Sequence, residues 1–252
     1  MSERVLVTLA GGVLTLMLNR PDKRNAIDTA MIDALLAALE RADLDAEVRV
    51  VALRGAGRDF CAGMDLNELL ASADHTVEQN REGALHFGAL FVRMRQLPKP
   101  VVAVVQGRAL AGGCGLATGC DLVLAAESAQ FGYPEVQRGF VPAIVMTLLR
   151  RAVGEKVAFD LAATGRLLDA SEAAAAGLVS RVYEDADFEE QAGDVLRALA
   201  GTSPSALAFT KQQFYQLDGL RFEEGIRLGA DVNAVSRSTP DFRAALAAFL
   251  KK

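Results

Sequence analysis

Two glycine-containing loops and one glutamate carry the chemistry that this sequence offers. The loops are Phe60-Cys61-Ala62-Gly63-Met64-Asp65-Leu66 and Ala111-Gly112-Gly113-Cys114-Gly115-Leu116, each downstream of an apolar, strand-like run. Both place nearly bare backbone N–H groups at the start of a helical stretch, where they carry partial positive charge and can meet an anion. Two such donors converging on one oxygen make an oxyanion hole, and a single donor of that kind is worth about 3–4 kcal/mol of barrier. Each loop taken alone is equally well read as tight packing of helix on strand. Downstream, Phe131-Gly132-Tyr133-Pro134-Glu135 puts a carboxyl in a mostly apolar stretch that runs to Phe140. Apolar surroundings disfavour a charged carboxylate, which suits Glu135 to proton transfer near neutral pH. Glu135 alone reads as readily as an exposed loop residue.

Composition narrows the setting for these groups. The 252 residues fit one large domain, or a domain with an appendage. Hydrophobic residues at 51% and charged residues at 23% support a large core. Lys and Arg number 27 against 32 acids, a net charge of -5, which argues against wholesale binding of nucleic acid or anionic membrane. Aromatics at 6% with no Trp leave little for stacking bases. Cys61, Cys114 and Cys120 form no C-x-x-C pair and fit reduced thiols in a reducing compartment. His75 and His86 lack the i, i+4 spacing of a helical zinc pair, and they read as surface residues, so no metal site is expected. No G-x-S-x-G elbow and no G-K-[ST] phosphate loop occurs. No apolar run reaches the length of a membrane span, and Met1-Ser2-Glu3-Arg4 does not open a signal peptide. The expectation is a cytoplasmic protein.

The elements that must hold the two loops follow from patterning. Val5–Leu9 and Val13–Leu18 read as a hairpin about Gly11-Gly12. A helix begins at Asp28 or Thr29, and Val48–Leu53 reads as a buried strand. A short helix is expected at Leu66–Leu70, a polar mobile surface stretch at 71–82 and a helix at Ala84–Leu97. The run Pro100–Val105 has no polar side chain and reads as a strand buried on both faces. A short small-residue helix and a strand at Leu122–Ala125 complete an α/β alternation. From Val141 the pattern is helical, with starts at Ser203-Pro204 and Thr239-Pro240.

Taken together, five segments carry a resemblance that no one of them would. They are Asn19-Arg20-Pro21-Asp22-Lys23-Arg24-Asn25-Ala26, then Gly57–Leu66, Gly107–Leu116, Cys120-Asp121-Leu122 and Phe131–Glu135. Their order and spacing resemble the enoyl-CoA hydratase/isomerase (crotonase) superfamily, from about residue 5 to the C-terminus. The resemblance implies an α/β crotonase-like (ClpP/crotonase) fold, a β-β-α spiral core over 1–195 with a helical C-terminal trimerisation region over 196–252. It implies an acyl-CoA substrate, with coenzyme A as part of the substrate and no separate cofactor, and a homotrimer or hexamer. Carried over by position, the amides of Met64 and Gly112 hold the thioester oxygen of an enolate-like anion, and Glu135 is the acid/base. Lys23, Arg24, Ala26, Ala62, Gly63, Asp65, Leu66, Gly113 and Pro134 make up the substrate-binding set. Asp65 and Asp121 otherwise take structural roles, and Lys251 or Lys252 would reach the CoA 3′-phosphate of a neighbouring subunit.

One departure bears on the reaction. Two-carboxylate hydratases of this family carry G-G-G-C-E in the second loop, and the glutamate position here is Gly115. Phe140-Val141-Pro142-Ala143-Ile144 likewise departs from a glycine-rich helix start. One carboxylate suffices to move a proton between C2 and C4 of an enoyl thioester, and it could also activate water, so isomerisation and hydration of a 2-enoyl-CoA both stay open. A catalytically silent acyl-CoA-binding relative is the alternative. A dinucleotide fold is disfavoured because Gly119 falls one residue late for G-x-G-x-x-G. An RNA-binding relative is disfavoured because the 29–45 helix carries Asp33, Glu40, Asp43 and Asp45 and no basic stripe.

Overall fold

The computed structural model describes residues 3–250. Strands β1 (Val5–Ala10) and β2 (Val13–Leu18) form the expected hairpin, with Gly11 and Gly12 both at positive φ in the turn. Asp28 caps α1 (Thr29–Leu44) by accepting from the Met31 N–H, and Met31, Ile32, Leu35, Ala38, Leu39 and Ala42 form its buried stripe. Strand β3 (Val50–Gly55) leads to the first functional loop and to α2 (Leu66–Ala71).

Helix α3 runs over Val77–Gln96 and so takes in the end of the stretch expected to be a mobile surface segment. A capping box between Thr76 and Gln79 starts it. Its first turns project into solvent and bury nothing, so no apolar period betrays them; burial begins at Phe87. Strands β4 (Val101–Val105) and β5 (Arg108–Leu110) precede α4 (Gly112–Thr118). Strands β6 (Leu122–Ala126) and β7 (Gln130–Gly132) precede a single 3₁₀ turn at Pro134–Arg138. The remaining core elements are α5 (Ala143–Val153), α6 (Glu155–Thr164), β8 (Leu167–Asp169), α7 (Ala170–Ala175), β9 (Arg181–Tyr183) and α8 (Phe188–Ala200).

The main sheet has the order β1-β2-β3-β4-β6-β9, antiparallel only at β1/β2. Helices α1 and α3 cover one face, and α8 covers the other through Phe188, Ala192 and Leu196. The boundary expected at 195/196 therefore falls inside a helix that belongs to the core. The second sheet, β5-β7-β8, has three-residue strands that periodicity could not show. These two layers turning about one core are the expected α/β spiral.

Helices α9 (Pro204–Gln216), α10 (Phe222–Ser236) and α11 (Pro240–Phe249) make the helical C-terminal region. One buried polar cluster pins α9 to the core. Lys211 Nζ donates to the carbonyls of Met94 (2.7 Å) and Lys99 (2.9 Å) and pairs with Asp121 at 2.7 Å. The other Asp121 oxygen accepts from the Tyr215 hydroxyl at 2.7 Å, while Val101 N–H also donates to the carboxylate. Burial pushes the Lys211 ammonium below its ordinary range, against the pull of Asp121. Removing the ammonium takes the donor from two carbonyls and the counter-charge from a carboxylate that keeps its bonds from Tyr215 and Val101. Lys211→Met is expected to lower stability by about 3 kcal/mol, read as a fall in the urea midpoint at unchanged slope.

Candidate active site

Three chain segments run side by side at the site. Cys61 bridges to Ala109, and β5 pairs in parallel with β7, placing Leu110 opposite Gly132. The bonds that set this register are Cys61 N–H to Arg108 O (3.0 Å), Leu110 N–H to Cys61 O (2.9 Å) and Ala111 N–H to Gly132 O (2.8 Å). Met64, Gly112 and Glu135 each leave the carboxyl end of one of these segments within a few residues of its last pairing. Ligand crevices in α/β proteins open at such ends.

The Met64 amide is free for a geometric reason. Residues 24–27 run beside 62–65, with Ala62 N–H donating to Arg24 O (3.0 Å), Ile27 N–H to Gly63 O (2.8 Å) and Asp65 N–H to Ile27 O (2.8 Å). In an extended chain successive N–H groups alternate sides, so Met64 points its N–H away from this partner. Among the described residues it has no acceptor. Gly112 is the first residue of α4 and has no intrahelical acceptor either. Helix α4 has only two turns, so it offers the site an N–H group more than a helix dipole.

The two donors belong to touching loops. A Cβ built on Gly63 would stand 2.9 Å from Ala111 Cβ and 3.4 Å from Gly112 N. A Cβ on Gly113 would stand 2.3 Å from Cys61 O, so Gly113 serves this close approach. The Met64 side chain lies over Gly112, with Cγ and Sδ each 3.6 Å from where a Cβ would be. Ala111, between the loops, has φ 51 and ψ −126, a conformation that a residue with a Cβ adopts at a cost. Its N–H is held by Gly132 and its C=O by Gly115, so the turn that aims Gly112 is fixed from both sides.

Charged pairs behind the loops keep them in place. Asp59 accepts from Arg108 through both carboxylate oxygens, at 2.9 and 3.0 Å, and from the Arg108 backbone N–H. Arg108 holds the Asp59 carboxyl below the usual range, outweighing burial. Buried Asn25, at φ 55, donates to the carbonyls of Ala56 and Asp59 and accepts from Arg20 N–H. Arg20 reaches Asp65 at 2.8 Å and Ala26 O at 2.7 Å. Asp65 also caps α2 by accepting from Asn67 N–H. Its carboxylate is thus committed inside the fold, and the expectation of Asp65 as a substrate-binding side chain gives way to a positioning role.

Lys23 and Arg24 are exposed at the tip of the loop whose backbone holds Ala62. Pro134 is buried and starts the turn that carries Glu135, while Leu66 is largely exposed. Lys251 and Lys252 lie outside the described residues. Residues that sequence reasoning missed are Asn25, Asp59 and Arg108, which tie the loops together, and Val145, which sits on Gly115. Asp59 and Arg108 lay inside quoted motifs, but no spacing rule joins residues 49 apart.

Glu135 is buried, and its Oε2 has no hydrogen-bond partner. Burial raises its pKa, with its own backbone N–H and Arg138 pulling weakly the other way. Cys114 stands close enough for Glu135 to add to the desolvation that lifts its thiol to about 12. A buried carboxyl with one unpartnered oxygen, on the segment adjoining that of the two free N–H donors, is the kind of group that can hold and release a proton.

A group whose folded pKa lies above its unfolded value favours the native state below the unfolded value, and that contribution is lost as pH rises through the folded one. Glu135→Gln is therefore expected to be more stable than the parent at pH 7, with the difference closing below about pH 4.5; thermal unfolding across pH checks it. Ala111→Gly relieves the positive φ and is expected to raise stability by about 1 kcal/mol, read from the melting midpoint.

The chain matches the family model described as Enoyl-CoA hydratase/isomerase over residues 8–252. A Thermus thermophilus protein whose name places it among the enoyl-CoA hydratases is 43% identical over 242 residues, 96% of either chain. The 1,2-epoxyphenylacetyl-CoA isomerase of Escherichia coli is 33% identical over 256 residues, covering 100% of this chain and 97% of that one. The crystal structure of an enoyl-CoA hydratase from Mycobacterium smegmatis superposes with a TM-score of 0.95 at 31% identity, over 99% of this chain and 97% of that one. A profile spanning nearly the whole sequence, relatives aligned end to end and a shared crotonase fold lead to one conclusion: this chain is a member of the enoyl-CoA hydratase/isomerase family.

Proposed function

We propose that the protein moves a proton on an enoyl-CoA thioester, with Glu135 as the sole acid/base and the Met64 and Gly112 amides holding the thioester oxygen. The observation that carries this reading is Glu135 itself, a buried carboxyl with an unbonded oxygen on the segment adjoining the two free donors. Ionised Glu135 takes a proton from C2 of a 3-enoyl thioester. The electron pair of the broken C2–H bond passes into the thioester C=O and is shared over the dienolate as far as C4, and the negative charge developing on the oxygen is met by the two N–H groups. Protonated Glu135 then delivers the proton to C4, which moves the double bond from C3–C4 to C2–C3, or gives it back to C2, which restores the substrate, and no other reactant is consumed. Proton transfer by one placed carboxyl contributes about 10²–10⁴-fold, and it works best when the carboxyl pKa sits nearer the working pH. The raised pKa of Glu135 serves that need.

Lys23 and Arg24 offer positive charge to the CoA phosphates on a chain of net charge -5. Coenzyme A enters as part of the substrate, and the proton balance closes without a further cofactor. Assembly into trimers or hexamers is proposed from the resemblance, with α9–α11 as the elements that would meet neighbouring subunits. Their exposed Phe214, Phe222, Ile226 and Phe249 are apolar enough for such a contact. Water addition by the same carboxylate is the second reading, favoured by the Thermus thermophilus relative's name. No described helix is long and apolar enough to cross a membrane.

Incubation with a 3-enoyl-CoA and with crotonyl-CoA in deuterated water separates the readings. Deuterium at C2 or C4 without mass gain of a water supports proton relocation, and a hydroxyacyl product supports hydration. Glu135→Gln is expected to retain CoA-thioester binding while turnover falls by about 10³-fold, and the acid limb of kcat/KM in the parent should lie above the ordinary glutamate range. Parental turnover in that variant rejects the role of Glu135.

A further inference from the structure

Gly112, Gly115 and Gly119 recur at i, i+3 and i+7 along the α4 segment and leave one face without side chains. Apolar groups from two other helices press onto that face. A Cβ on Gly112 would stand 3.4 Å from Phe87 Cζ, and one on Gly119 would stand 2.7 Å from Phe91 Cδ1. On Gly115 it would collide with Val145 of α5, at 2.1 Å from Cγ1 and 2.9 Å from Cβ. Phe87 and Phe91 pack edge to face, with ring centroids 5.0 Å apart. Cα–Cβ bonds tilt toward a helix N-terminus, so the space above Gly115 opens toward Gly112 and its free N–H. Val145, itself buried, fills that space.

We propose that Val145 is the specificity-determining residue that closes the site to water on the side away from Glu135. The proposal deepens the one-carboxylate reading above and rests on it. Hydration adds the oxygen of water at C3, a proton at C2 and no net charge, and it needs a water held on the reacting face. Proton relocation leaves the composition of the substrate unchanged and needs no such water. A side chain of Val145's size, one helical turn from the Gly112 donor, leaves no place there for a water or for an acid to hold one. Gly115 and Val145 thus form a complementary small–large pair, and the volume that one gives up the other occupies.

Two measurements test this on the full chain. In denaturant unfolding, Gly115→Ala is expected to destabilise the parent and to be near neutral in a Val145→Gly background; additive effects would overturn the packing claim. In product analysis with crotonyl-CoA and a 3-enoyl-CoA, the double variant Gly115→Glu with Val145→Gly is expected to raise the ratio of hydroxyacyl to isomerised product by about tenfold or more. Val145→Ala, which opens room for water with less disturbance, is expected to move the ratio the same way. Folded variants that keep the parent's product ratio overturn the assignment. If the parent turns over neither substrate, the one-carboxylate reading falls. A gain of hydroxyacyl product in the folded double variant then still supports Val145 as the barrier, and no gain overturns it.

Discussion

The site depends on three backbone hydrogen bonds in a ladder only a few residues long. Cys61 to Arg108, Leu110 to Cys61 and Ala111 to Gly132 bring together three segments that are far apart in sequence. Every other feature of the site acts to keep that ladder in register or to use what emerges from its end. The Asp59–Arg108 pair spans the first two segments, and a bidentate, largely buried carboxylate–guanidinium contact fixes orientation as well as distance. The missing side chain at Gly113 lets the loops approach closely enough for the ladder to form. The positive φ of Ala111 is tolerated because the bonds on either side of it determine the turn.

Much of this was legible in the sequence, and the illegible part has physical causes. The buried strands β3 and β4 announced themselves because strands covered on both faces are continuous apolar runs. The two loops and Glu135 stood out because glycine loops after strands and a carboxyl in an apolar run are local signals, while Met64 and Gly112 were singled out within the loops by the family resemblance. Strands β5, β7, β8 and β9 did not stand out, because three residues carry no period. The start of α3 was hidden because a helix that projects into solvent has no apolar stripe to read. Asp65 entered the substrate-binding set through the resemblance, which otherwise gave it a structural role, and its bonds to Arg20 and Asn67 set a loop. Partners of that kind are defined only by the folded register.

Gly115 shows the difference between reading a missing group and reading a filled space. From sequence it is the loss of a carboxylate. In the structure the position has no room for one, because Val145 stands on it. The departure in the second loop meets Val145, the residue just after the Phe140–Ile144 segment, and the two fit as a small–large pair. Interiors are close-packed, so a side chain removed on one helix leaves a void unless a neighbour grows to fill it. That condition couples the two positions and makes a single reversion at Gly115 costly.

The same exchange bears on how one carboxyl can serve alone. A base that must both take a proton and give it back cannot be a strong acid at the working pH, or its proton would be lost to solvent between steps. Two carboxyls facing one another would raise each other's pKa through repulsion. With one absent, the rise must come from desolvation, and burial is indeed the leading cause at Glu135. Val145, Phe87 and Phe91 wall the face of α4 that carries Gly112, Gly115 and Gly119 with carbon. On the proposed one-carboxylate reading, the missing acid at Gly115 and the large side chain at Val145 are two sides of one packing choice.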